Sequence, residues 1–304
     1  MLRWRLLLGT LIIAALVALC WLDHAAAIPG VVLFPVAIAA VLLASGEILA
    51  LERAAGLQPP GWVVYAGNTL LVVAGWVPAV CWQRYSAAAA DGSVLGAEAL
   101  SVGRQGALLA LAAGVILAFV GEMRRYRQSG DVTKNLAGTM LGLVYVGVLL
   151  VFVAHLRLAF GIAALASLVI VVKMCDTGAY TVGRLLGRHK MAPVLSPGKT
   201  WEGAAGGLLF ACFGSWATFQ WLVPALGPEG TAPAAWWGWM VFGLLVGGAG
   251  MLGDLAESLL KRDAGRKDSS NWLPGFGGVL DILDSILLAG PVAYGCWALG
   301  LVGG

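Results

Sequence analysis

Asp254, Ser258 and Lys261 recur at i, i+4 and i+7, a spacing that puts three side chains on one face of a helix. Arg262, Arg266, Lys267 and Asp268 follow within one short stretch. Pro274-Gly275-Phe276-Gly277-Gly278 must then break any helix, and its glycines let backbone N–H groups approach a ligand closely. Asp281 and Asp284 stand one helical turn apart where the next apolar run begins. Two readings fit this crowd of charges. One is ion pairing at a surface, Asp254 with Lys261 or Lys267 with Asp268. The other is a site for a metal ion and a polyphosphate, because Mg²⁺ is usually held by one or two carboxylates together with phosphate oxygens and water. Two aspartates one turn apart repel each other unless a cation lies between them, which favours the metal reading.

A second polar stretch runs from Asp176 to Gly203, DTGAYTVGRLLGRHKMAPVLSPGKTWEG. Asp176, Tyr180, Gly183 and Gly187 fall at i, i+4, i+7 and i+11, one stripe of a helix. An aspartate at the end of an apolar run is costly unless it pairs, binds a cation or reaches water. Ser196-Pro197-Gly198-Lys199-Thr200 adds two hydroxyls, one cation and turn-compatible residues, a set suited to phosphate oxygens with Lys199 as a point charge. The plainer alternative is a basic loop in which Thr200 caps a helix ahead of Gly203. The Gly198-Lys199-Thr200 triplet is not the end of a nucleotide-binding P-loop. That motif needs a glycine where Pro193 stands, and a strand of an α/β domain before it, which the sequence does not suggest.

The elements that must carry these stretches are membrane helices. Of the 304 residues, 60% are hydrophobic and only 12% charged, against about 25% charged in a soluble domain. Apolar runs long enough to cross a bilayer are expected near 6–22, 28–51, 62–82, 106–121, 135–154, 158–175, 203–226, 236–253 and 286–303. The fold class is therefore all-α: a polytopic integral membrane protein with about nine transmembrane helices. Arg3 and Arg5 before the first run resemble a signal peptide, but further spans follow and the first is expected to be retained. With a cytoplasmic N-terminus, fifteen cations fall inside: Arg3, Arg5, Arg53, Arg124, Arg125, Arg127, Lys134, Arg184, Arg188, Lys190, Lys199, Lys261, Arg262, Arg266 and Lys267. Only Arg84, Arg104 and Arg157 fall outside. This positive-inside bias puts both polar segments, 176–202 and 254–285, in the cytoplasm. The net charge of +3 is too small to argue for nucleic acid. Cys20, Cys81, Cys175, Cys212 and Cys296 form no C-x-x-C pair and read as small packing residues.

Both polar blocks resemble those of the phosphatidate cytidylyltransferases, or CDP-diacylglycerol synthases. The family signature has the form S-x-x-K-R-x4-K-D, then P-G-H-G-G, then D-R-x-D. Ser258, Lys261, Arg262, Lys267 and Asp268 match the first part; Pro274, Gly275, Gly277, Gly278, Asp281 and Asp284 match the rest. The other block is matched by Asp176, Ala179, Tyr180, Gly183, Gly187, Ser196, Pro197, Lys199, Thr200, Glu202 and Gly203. The resemblance covers roughly 135–304, so it implies a catalytic transmembrane domain there and N-terminal transmembrane helices over 1–134. Phe276 stands where the signature has His, and Ile282 where it has Arg. Those departures remove a proton carrier and one bidentate phosphate clamp, and leave the carboxylates in place. His189 is one candidate substitute.

The resemblance implies transfer of CMP from CTP to phosphatidate, with Mg²⁺, at the cytoplasmic face of the cell inner (plasma) membrane. Phosphatidate, CTP and the bilayer are then the partners; a homodimer and a second, monovalent cation are compatible with it. Asp254 and Asp281 are expected to hold the metal, with Asp284 and Asp176 as further ligands. Lys199, Lys261, Arg262 and Lys267 would hold phosphate; Ser196, Thr200 and Ser258 would donate hydrogen bonds; Gly277 and Gly278 would let backbone approach the nucleotide. The alternatives are a CTP-dependent lipid or polyprenol kinase, and a catalytically weakened member of the family. A transporter is disfavoured, because polar residues gather at span ends rather than at the bilayer midplane.

Overall fold

The computed structural model describes residues 2–88, 95–127, 130–226, 235–270, 272 and 277–302. Among these, six helices are long and apolar enough to cross a membrane: Leu33–Ala54, Ser101–Arg125, Val132–Leu186, Trp201–Leu226, Trp236–Asp263 and Val279–Ala298. Gly9–Ala25 and Gly61–Val77 are shorter apolar helices. The architecture is that of a multi-pass helical membrane protein, as the composition predicts. The chain divides into two compact units, Met1–Ala159 with Asp263–Ile282, and Phe160–Arg262 with Leu283–Gly304.

The first unit holds α1 (Leu2–Ala25), α2 (Leu33–Ala54), α3 (Gly61–Ala88), α4 (Leu95–Arg125), α5 (Val132–Gly142), a π-helical turn over Leu143–Val148 and the start of α6 (Leu149–Leu186). Apolar length makes these segments helical, and polar groups set their junctions. Asp23, fully buried, accepts from the N–H groups of Gly30 (3.1 Å), Val32 (3.0 Å) and Leu33 (3.3 Å), which shapes the turn into α2. Its charge is met by Arg157, whose Nε donates at 2.6 Å. Asn68 on α3 donates to Ser45 Oγ (2.8 Å) and to the Gly142 carbonyl (3.2 Å), at the point where α5 widens into the π-helical turn. Such a turn disturbs the regular ladder, and a side-chain donor satisfies the carbonyl beside it.

The second unit contains the rest of α6, a hairpin of β1 (Lys190–Ala192) and β2 (Ser196–Thr200), α7 (Trp201–Ala217), a π-helical turn over Thr218–Leu222, α8 (Val223–Leu226), α9 (Trp236–Asp263) and α10 (Val279–Ala298). The first turn of α10 and the last residue of α9 belong to the first unit. Helices here meet through glycine. A Cβ on Gly243 would lie 2.7 Å from Cys212 Cα, and one on Gly253 would lie 2.4 Å from the Asp284 carbonyl oxygen. Without a hydrophobic drive between helices in lipid, such close backbone approach supplies the packing energy.

One boundary shifts from where the sequence puts it. The break expected between 154 and 158 falls at Gly161, where φ is +83°, a conformation that suits glycine. The polar stripes beyond the apolar runs lie on helices, as their spacing predicts: α6 continues to Leu186, one residue short of Gly187, and α9 to Asp263. The segment before Gly198-Lys199-Thr200 does contain a strand, but it belongs to a two-stranded antiparallel hairpin and not to an α/β sheet, so the P-loop remains excluded.

Candidate active site

The second unit contains a cavity of about 570 Å³ whose walls include Asp176, Tyr180, Arg184, Ser196, Lys199, Thr200 and Asp254. The stripe on α6 supplies Asp176, Tyr180 and Gly183, the hairpin supplies Ser196, Gly198 and Lys199, and α9 supplies Asp254. Continuing α6 as a helix to Leu186 is what points this stripe into the cavity. Thr200 ends β2 and caps α7, its Oγ1 accepting from Gly203 N at 3.1 Å. Glu202, in the first turn of α7, accepts from the backbone N–H of Arg188 (3.1 Å) and His189 (3.2 Å) and meets His189 Nδ1 at 2.5 Å. The hairpin is thus tied at its base, which fixes where Lys199 stands. His189 is engaged by Glu202 and is not among the cavity-lining residues.

Two ion pairs engage the carboxylates of this cavity. Lys199 Nζ lies 2.9 Å from Asp254 Oδ2, and Lys173 Nζ lies 3.0 Å from Asp176 Oδ2. Ser258 Oγ donates to Asp254 Oδ1 at 3.5 Å, as the i, i+4 spacing predicts. The close contact at Gly253 brings α9 against α10, so that Asp284, only 6% exposed, sits within electrostatic reach of both Asp254 and Lys173. The Asp284 carboxylate accepts from the Ser285 backbone N–H at 2.5 Å. A buried carboxylate beside a second one calls for a proton or a cation. Among the described residues no three His, Cys, Asp or Glu side chains gather into a metal cage. Asp254 and Asp284 nonetheless have the donor chemistry for Mg²⁺, which takes hard oxygen ligands and most of its shell from phosphate and water.

The other sequence-derived residues have other neighbours. Lys261 Nζ lies 2.5 Å from Glu257 Oε2, and that glutamate is fully buried. Arg262 Nε donates to the Leu195 carbonyl at 3.2 Å, linking α9 to the hairpin turn.

The first unit holds a separate cavity of about 630 Å³, lined by Glu47, Arg266, Lys267, Asp268, Ser269 and Ser270 among others. Asp281, in the first turn of α10, accepts at Oδ2 from Gly278 N (2.8 Å), Ser269 N (3.0 Å) and Ser269 Oγ (2.5 Å). Its described contacts are those of a residue that caps its own helix and fastens the preceding loop. Gly277 has φ +82°, and a side chain there would strike the Asp281 carboxylate. Gly278 lies against Glu47 and Ser269, with a Cβ position only 2.3 Å from Glu47 Oε1. Pro274, Gly275 and Phe276 lie outside the described residues. Ile282 is half-buried on α10.

Two acidic residues escaped the sequence reading. Glu257 carries its signal in the i, i+4 spacing to Lys261. Glu47 sits within an otherwise apolar run, where an ionisable residue is by default a candidate for function.

A model of the cytidylyltransferase family matches residues 4–299. The phosphatidate cytidylyltransferase of Brucella suis biovar 1 (strain 1330) is 41% identical over 155 residues, 50% of this chain and 54% of that protein. Those of Bacillus subtilis (strain 168) and Haemophilus influenzae (strain ATCC 51907 / DSM 11121 / KW20 / Rd) are 38% identical over 161 residues and 39% over 131 residues. These cover 52% and 43% of this chain, and 57% and 44% of the respective relatives. The chain spans about half the length of the curated relatives it matches. With a family model that runs almost from end to end, the chain belongs to the cytidylyltransferase family.

Proposed function

We propose that this chain is a nucleotidyltransferase that joins phosphatidate to the CMP portion of CTP, giving CDP-diacylglycerol and pyrophosphate for phospholipid biosynthesis. A phosphatidate phosphate oxygen attacks the α-phosphorus of CTP; the bond from that phosphorus to the bridging oxygen breaks, and pyrophosphate leaves with the electron pair. The nucleophile is already an anion, so no strong general base is needed. The barrier is repulsion between anions together with charge gathering on the leaving group, and positioned cations lower it.

The observation that carries this reading is the cavity of the second unit, where Lys199, Arg184, Ser196 and Asp254 stand together at the ends of apolar helices, with the buried Asp284 near Asp254. Lys199 and Arg184 are the phosphate-holding cations of that cavity, and Ser196 a hydroxyl donor. Asp254 and Asp284 would hold a divalent ion, with Asp176 as a further ligand candidate; Asp281 remains assigned to the metal through the signature it matches. When bound, Mg²⁺ supplies neutralisation of triphosphate charge. Lys261, Arg262 and Lys267 remain assigned to phosphate through the signature they match, as does Ser258 as a donor and Gly277–Gly278 as a backbone approach. The catalytic portion is 135–304, and 1–134 supplies accompanying membrane helices.

The topology of this reading has nine crossings, a cytoplasmic N-terminus and an active site facing the cytoplasm from the inner membrane. Fifteen inside cations against three outside support it, as does the break at Gly161 that divides the long helix of Val132–Leu186. A homodimer is compatible with it.

The test uses purified full-length protein with phosphatidate, Mg²⁺ and CTP labelled with ³²P at either the α or the γ position. Label from the α position is expected in CDP-diacylglycerol. Label from the γ position in the lipid would instead identify a kinase. Folded protein that labels no lipid from either substrate would overturn the proposal.

A further inference from the structure

Glu47 lies on α2, far in sequence from the signature residues, and is 8% exposed. Its Oε1 accepts from Ser270 Oγ (2.9 Å) and from Val279 N (3.0 Å). Its Oε2 accepts from Leu280 N (2.7 Å) and lies 3.1 Å from Ser269 Oγ. Each carboxylate oxygen therefore meets one group on either side of residues 271–278, the segment in which the signature turn lies. Val279 and Leu280 open α10, and the first N–H groups of a helix have no acceptor within the helix. A carboxylate there satisfies two of them and complements the positive end of the helix dipole.

Ser269 ties this arrangement to Asp281. Its hydroxyl lies 2.5 Å from Asp281 Oδ2 and 3.1 Å from Glu47 Oε2, so one proton is shared between two carboxylates. Lys267 and Asp268 are the immediate neighbours of Ser269, and they line the same cavity as Glu47. Moving Glu47 would release Ser269 and Ser270 on one side and Val279 and Leu280 on the other.

We propose that Glu47 is the positioning residue for the signature loop: an acid from the N-terminal helices that clamps both flanks of the loop and sets the start of α10. It does not touch substrate in this role. Its consequence for turnover rests on the cytidylyltransferase reading; the clamp itself does not. Gln is nearly the same shape, but its amide nitrogen donates where Glu47 accepts on all sides, so one half of the clamp faces donor against donor.

The experiment compares full-length wild type with Glu47→Gln and Ser270→Ala in lipid nanodiscs, reading amide hydrogen exchange together with CTP kinetics. Glu47→Gln is expected to speed exchange at Val279 and Leu280 by about tenfold or more, the loss of a charge-assisted hydrogen bond, while α6 and α9 keep wild-type protection. KM for CTP is expected to rise by a similar factor, more than kcat falls. Ser270→Ala, which leaves Glu47 in place and is the safer variant to fold, is expected to give a smaller change of the same kind. Unchanged exchange at Val279 and Leu280 overturns the clamp. So does a uniform rise in exchange along the whole chain with no response to Ser270→Ala. Local release with unchanged KM overturns the link to the reaction. If wild type makes no CDP-diacylglycerol and the local release still occurs, the cytidylyltransferase reading fails and the clamp stands.

Discussion

Gly253→Ala tests whether backbone contact between α9 and α10 holds the acidic pair in place. The added Cβ would stand 2.4 Å from the Asp284 carbonyl oxygen and 2.9 Å from Ser285 Cα. Both obstacles lie on backbone or next to it, so no side chain can swing away. Ordinary contact begins near 3.4 Å, and the two helices must therefore separate by about 1 Å, a strain of the overpacking kind that costs about 1–3 kcal/mol. The shift falls beside Asp254 and on the backbone of Asp284. A misplacement of about 1 Å in a positioned site costs on the order of 10²-fold in rate. Gly248→Ala is the control, since nothing lies within 4 Å of its Cβ on the same helix. Thermal unfolding in detergent and CDP-diacylglycerol formation from labelled CTP read the two arms. Gly253→Ala should melt earlier and turn over far more slowly, and Gly248→Ala should match wild type. Wild-type melting and turnover in Gly253→Ala, or equal damage from Gly248→Ala, would refute the reasoning.

Asp254→Asn should leave Lys199 without its partner at 2.9 Å and remove one of two neighbouring carboxylates. Turnover is expected to fall about a hundredfold, with a higher Mg²⁺ requirement measured by titrating the metal. Thr200→Ala removes the acceptor for Gly203 N and should lower stability by about 1 kcal/mol, while Thr200→Ser should restore it; melting of both variants decides. Asp23→Ala strands the buried Arg157 and frees three backbone N–H groups. It should cost about 3–5 kcal/mol, read as loss of folded protein in detergent, and Asp23→Glu should recover part of it.

The class of this protein was legible in its composition, because long apolar runs have only helical solutions in a bilayer. The cavity stripe was legible too: Asp176, Tyr180 and Gly183 share a face by periodicity alone, and they line one cavity. Thr200 as a cap and Ser258 with Asp254 followed from local spacing for the same reason. Pairings between distant segments were not legible. Lys199 meets Asp254 across 55 residues because a hairpin and a helix end face each other, and neither local sequence encodes the other. Asp23 finds Arg157, and Glu47 finds Val279 and Leu280, by the same kind of long-range docking.

Periodicity and hydropathy are properties of neighbours along the chain, so the residues by themselves determined a helical membrane protein and the faces on which its charged groups lie. Which charge meets which depends on how helices pack, and that follows from side-chain volume at contacts such as Gly243 and Gly253, where the absence of a single Cβ lets two backbones touch. Only the tertiary structure decided that Lys199 belongs to Asp254, and the start of α10 to an acid on α2.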